Sequence, residues 1–330
     1  MATTPEGSLL PTARVRSSPA LFALLADARF EPGTRATLAG AAVAAGFLGM
    51  IFWKNIAHFW LSWSTDENYS HGFLVPLISL YFANMATERG PVPVRGGGAL
   101  GLALLAGALL VKLGTVVIAV GTLGDLALIA AVAGVVALLA GSAALRRYGF
   151  AIAFLVFMVP LPVALYAAIA SPLQLFVSKM ASVFLNATGV PVLTEGNMMT
   201  LPGGVQMFVA EACSGMRQLT GFLALTSAVA YLSGRPGWYR AAVVGAAVPI
   251  AMTANMARVT LTGYIMYFID PSFASGTYHT LEGLLMLGFG LSLLRAGCWV
   301  LDQVVAATVV EGAASLAPPG EGGAGTPVGG

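Results

Sequence analysis

Residues 97–119 read GGALGLALLAGALLVKLGTVVIA, twenty-three positions that carry a single charge, Lys112. A helix rises about 1.5 Å per residue, so a run of this length spans the ~30 Å hydrocarbon layer of a bilayer. Working outward, comparable apolar stretches fall near 36–54, 71–87, 122–143, 148–168, 212–233, 241–267 and 280–301. The predicted fold is therefore all-α, a polytopic transmembrane helical bundle of about eight spans. Composition agrees: 58% of the 330 residues are apolar and 9% are charged, where soluble domains run near a quarter charged. A net charge of +2 excludes nucleic acid as the expected partner. The lipid bilayer takes that place.

Basic residues set the expected orientation. Arg14 to Arg35, then Arg89 and Arg95, Arg146 and Arg147, and Arg235 and Arg240 fall in alternate connections, which the positive-inside rule puts in the cytoplasm. The connections near 55–70, 120–121, 169–211 and 268–279 are poor in basic residues and are expected to face outward. Residues 1–35 form a polar cytoplasmic N-terminus without a signal-peptide core. Residues 36–302 form the membrane domain, and 303–330 a disordered Gly/Pro/Ala-rich tail. In the longest outer connection, Leu173, Phe176, Val177, Met180 and Phe184 make one helical stripe over 171–187, predicting a short interfacial helix. The following PVLTEGNMMTLPGGVQMFV predicts a β-hairpin around Glu195-Gly196-Asn197.

Three spans each bring one residue of chemical interest to the predicted outer side. Cys213 opens the sixth span, in Glu211-Ala212-Cys213-Ser214-Gly215-Met216-Arg217. A helix N-terminus and Arg217, one turn on, favour its thiolate, while apolar burial opposes it. Arg258, in Asn255-Met256-Ala257-Arg258, lies inside the seventh span, roughly 15 Å below its outer end. There an arginine costs about 2.5–3.5 kcal/mol and needs a satisfied interior position. His279 opens the eighth span and is able to exchange a proton near neutral pH. Blander readings compete: a packed thiol, an arginine on helix-end carbonyls, a hydrated interfacial histidine. By depth alone His71, in Tyr69-Ser70-His71-Gly72, competes with His279. His58 lies in the predicted outer loop without a motif. Cys298 sits near the inner end of the last span and reads as packing, so a disulfide with Cys213 is not expected. Lys112 and Asp125 read as a structural ion pair or as snorkelling side chains. No metal motif and no cofactor site is visible.

Over residues 60–295 the chain resembles the exosortase/archaeosortase family of membrane cysteine transpeptidases. The likeness rests on Tyr69-Ser70-His71-Gly72-Phe73-Leu74-Val75-Pro76, Pro160-Leu161-Pro162, Glu195-Gly196-Asn197, Ala210 to Arg217, Asn255 to Arg258, and His279. The resemblance implies a catalytic triad of Cys213, Arg258 and His279, with Glu211, Arg217, Asn255 and His71 as supporting residues. It also implies membrane-anchored protein substrates ending in a sorting signal: a PEP-like motif, an apolar anchor and a basic end. The site would face the exterior of the cytoplasmic membrane. The chain departs from some members in having no appended C-terminal domain.

Two other classes fit an eight-span chain. A transporter would use Arg258 as an anion site, but no internal repeat is visible. A non-catalytic envelope assembly factor would bind such substrates without cleaving them. Cysteine substitution separates them: a transporter tolerates Cys213→Ser, and a cysteine transpeptidase does not.

Overall fold

A computed structural model describes residues 32–88, 98–118, 120–209, 215–274 and 277–316, with backbone alone at 32–38, 273–280 and 307–316. The chain divides at Pro160 into two compact units, Met1–Pro160 and Leu161–Gly330.

In the first unit, α1 (Pro32–Ile51) and α2 (Trp53–Thr65) meet at a bend of 74° between Ala39–Ile51 and Trp53–Thr65. A 3-10 segment, Glu67–Phe73, follows, with Asp66 accepting from the Asn68 backbone N–H at its start. Then come α3 (Leu74–Thr87), α4 (Gly98–Ile118), α5 (Gly121–Phe154) and a 3-10 turn, Leu155–Met158. The α5 path breaks at Gly141, with φ 88° and ψ 176°. Phe52, at the α1–α2 bend, is fully buried among Ala108, Ala127 and Ala131. Small residues let α4 and α5 close around one ring, the usual solution where lipid supplies no hydrophobic drive between helices. The stretch from residue 55, expected as an outer loop, is helical. Asn55 and Phe59, four residues apart, are buried on one face of α2 while Trp53 and Trp60 are exposed. His58 is thus on a helix.

In the second unit, α6 (Val163–Ala187) leads into β1 (Leu193–Glu195), β2 (Met198–Leu201) and β3 (Val205–Phe208). The three strands form an antiparallel sheet in the order β1-β2-β3. Glu195 pairs with Met198 at the first turn and Leu201 with Val205 at the second. The sheet has one strand more than the expected hairpin, because Pro202-Gly203-Gly204 turns the chain back a second time. After it come α7 (Met216–Leu232), α8 (Gly237–Gly245), α9 (Ala247–Phe268), a 3-10 turn (Pro271–Ala274) and α10 (Thr277–Leu316). Val177, Ala181 and Leu185 of α6 pack with Met199 and Met207 of the sheet and Val259 and Met266 of α9. Ser178 Oγ donates to the Gly196 carbonyl at 2.9 Å and pins the first turn to α6.

The separate interfacial helix over 171–187 is corrected. Those residues continue α6 without a break, and Pro172 is accommodated inside it. The buried face runs through Ala170, Val177, Ala181 and Leu185, while Phe176 and Phe184 are exposed. Val177, Ala181 and Leu185 face the sheet, while Phe176 and Phe184 face outward, as suits a lipid-facing surface.

The span count is also revised. Among the described residues, five helices are long and apolar enough to cross a membrane, or six if the bent α1–α2 pair is one span. Eight were expected. Leu74–Thr87 has 14 residues and Met216–Leu232 has 17, too few by that measure. The predicted fourth and fifth spans are redistributed: residues 121–154 belong to one broken helix, and the next begins at Val163. Between them the chain passes through the 3-10 turn and then runs extended from Val159 to Pro162, since Pro160 lacks an N–H and Pro162 holds the entry to α6.

Candidate functional site

In the second unit, α9 is the organising element. Asn255, Arg258 and Thr262 occupy successive turns of one face, and all three are buried. Each reaches a different neighbour.

Asn255 meets the start of α7. Gly215 caps that helix in the left-handed conformation, φ 68°, and a Cβ built there would stand 2.9 Å from Asn255 Nδ2. Only glycine accepts both the conformation and the approach. Leu173 and Val177 of α6 and Ala251 of α9 line the same crevice. Arg217, the second residue of α7, is half-buried.

Arg258 meets the start of α10. Its Nε lies 3.9 Å from Glu282 Oε2, with both side chains 7% exposed. Thr262 Oγ1 has one proton and two acceptors in reach: Glu282 Oε1 at 2.6 Å and the Arg258 carbonyl at 3.0 Å. The closer, charged acceptor makes the stronger bond. A carboxylate among apolar helices is stable only with such a partner, and so is the guanidinium.

Of the residues the sequence points to, Glu211 and Cys213 lie outside the described residues. His279 is described by its backbone, on the first turn of α10. Arg258 and Asn255 are brought together on α9. The chain two residues beyond Cys213 abuts Asn255, and the residue one turn beyond His279 pairs with Arg258. Glu282 and Thr262 were not foreseen. The available signal was the lone carboxylate in the apolar run 280–301, which has to find a cation somewhere.

His71 belongs to the first unit and has a local task there. Its Nε2 donates to the Phe157 carbonyl at 3.1 Å, and Trp63 Nε1 donates to the next carbonyl, Met158, at 3.0 Å. These carbonyls close a helical path that Pro160 cannot continue, so side chains satisfy them instead. Gly72 leaves room for Trp63, whose indole nitrogen lies 2.2 Å from the place of a Cβ. His71 is outside the candidate spans, and burial lowers its pKa from the ordinary 6.5, partly offset by the Phe157 bond.

Lys112 and Asp125 are joined through a third residue. Lys112 Nζ donates to Asn55 Oδ1, and Asn55 Nδ2 donates to Asp125 Oδ1 at 2.7 Å. His58 Nδ1 lies 3.3 Å from Asp125 Oδ2. Cys298 has a free thiol and packs with Leu294 and Leu301 beside the Arg235–Asp302 pair (2.8 Å). It is sixteen residues beyond Glu282 on the same helix, about 24 Å along the axis. Among the described residues no group of His, Cys, Asp and Glu could hold a metal ion.

Residues 63–296, more than half of the chain, match the family described as Transmembrane exosortase (Exosortase_EpsH). No curated protein and no solved structure gives a match.

Proposed function

The chain belongs to the transmembrane exosortase family, and on that premise we propose that it is a membrane-embedded cysteine peptidase and transpeptidase. It would cleave C-terminal, PEP-like sorting segments of exported proteins at the outer face of the cytoplasmic membrane. Cys213 thiolate attacks the scissile carbonyl, giving a tetrahedral intermediate. Arg258 stabilises the oxyanion. His279 gives a proton to the leaving amine as the C–N bond breaks, so the apolar tail departs and a thioester remains. His279 then takes a proton from the incoming nucleophile, an envelope acceptor or water, which attacks the thioester, releases the product and restores the Cys213 thiolate.

The observation that carries this reading is Arg258, a guanidinium buried on α9 and paired with Glu282 of α10, one turn from Asn255, which meets the start of α7. That start, capped by Gly215, lies two residues beyond Cys213, and the first turn of α10 bears His279. The test is co-expression with an exported reporter ending in a PEP motif, an apolar span and an arginine cluster. Wild type should release the tail. Cys213→Ala and Cys213→Ser should leave the reporter intact in membranes holding normal amounts of protein. Normal processing by Cys213→Ala would remove the proposed nucleophile.

A further inference from the structure

We propose that Glu282 is a positioning residue for this reaction: its buried carboxylate draws the Arg258 guanidinium toward α10, and Thr262 in turn fixes Glu282. The inference rests on the reading of Arg258 given above. The contact is made at Nε, the nitrogen nearest the side-chain stem, 3.9 Å from Glu282 Oε2. At that distance the pair is a Coulombic contact and not a hydrogen bond, and in a buried setting it holds the charged head on the α10 side. The other carboxylate oxygen accepts the Thr262 hydroxyl at 2.6 Å, which prevents the carboxylate from turning. Thr262 is one turn beyond Arg258 on α9, so the chain of contacts closes on the helix where it began. All three side chains are buried. Glu282 is also one turn beyond His279 on α10, and the same carboxylate therefore ties the helix of the proposed acid–base group to that of the oxyanion group.

A partner that only neutralised a buried charge would need no second anchor. Thr262 supplies one. Oxyanion stabilisation depends on where the donor points, and a displacement near 1 Å costs about a hundredfold.

The experiment uses the full chain in proteoliposomes with the sorting-segment reporter. Cleavage rate at saturation and KM are read beside thermal unfolding and the alkylation rate of Cys213. Glu282→Gln should lower kcat roughly ten- to a hundredfold with KM within about twofold of wild type. Because Gln leaves a buried guanidinium charge, Glu282→Asp and Thr262→Val are run with it. Asp should recover part of the loss, and Val should lower kcat by about three- to tenfold. In an Arg258→Gln background, Glu282→Gln should have no further effect on kcat. Wild-type kcat in Glu282→Gln, or additive losses in the double variant, would overturn the assignment. If wild type shows Cys213-dependent cleavage while Glu282→Gln is unimpaired, this inference alone fails. If no cleavage depends on Cys213, the proposed function fails and this inference with it.

Discussion

The amide nitrogen of Asn255 stands 2.9 Å from the point where a side chain at Gly215 would begin. Two helices therefore meet at a place where neither has a spare atom. The contact fixes the height at which α7 starts against α9, two residues beyond Cys213 and three before Arg258.

Gly215→Ala should accordingly affect activity more than stability. A non-glycine residue in the left-handed region costs about 1–2 kcal/mol, and Asn255 has to retreat. We expect a processing rate at least ~10-fold lower with only a modest fall in unfolding temperature. Wild-type processing by this variant would show that the junction does not set the site.

The Asn55 bridge predicts an order of damage in the first unit. Asn55→Ala removes both the acceptor of Lys112 and the donor to Asp125, leaving two charges without their link. That should cost about 3–5 kcal/mol. Asp125→Asn keeps an acceptor for Asn55 and should cost less. Denaturant titration of both variants in matched detergent checks the order, and a larger loss for Asp125→Asn would contradict it.

Gly290 faces the Phe222 ring so closely that a Cβ would lie 2.1 Å from its tip. Gly290→Ala should destabilise the second unit by about 1–3 kcal/mol, the usual cost of overpacking. Phe222→Leu in the same chain shortens the opposing side chain and should recover part of the loss. The double variant is predicted to unfold at a higher temperature than Gly290→Ala alone.

His71 gives a pH dependence of defined sign. Its pKa in the folded chain lies below the ordinary 6.5 because burial disfavours the charged ring. The unfolded chain then binds the proton more readily, so this contribution to stability is full above about pH 6.5 and declines on acidification. Thermal unfolding followed from pH 8 to pH 5 should show the decline in wild type. His71→Gln, which keeps a donor for Phe157 but does not titrate, should show a smaller one. An equal decline in both would place the titration elsewhere.

Hydropathy, charge pattern and local motifs were enough to read the chain as a helical membrane protein, to find its family, and to single out Arg258 as a charge that must be satisfied inside. These features are local: twenty consecutive residues decide whether a segment tolerates lipid, and one buried guanidinium carries its cost wherever its helix goes. The tertiary structure decided the rest. It paired Arg258 with Glu282, set Asn255 against Gly215, turned Val177, Ala181 and Leu185 inward, and gave His71 the carbonyl of Phe157. Each is a contact between segments distant in sequence. Within one helix many faces are equally apolar, and only the neighbour that packs against a face determines which residues it buries.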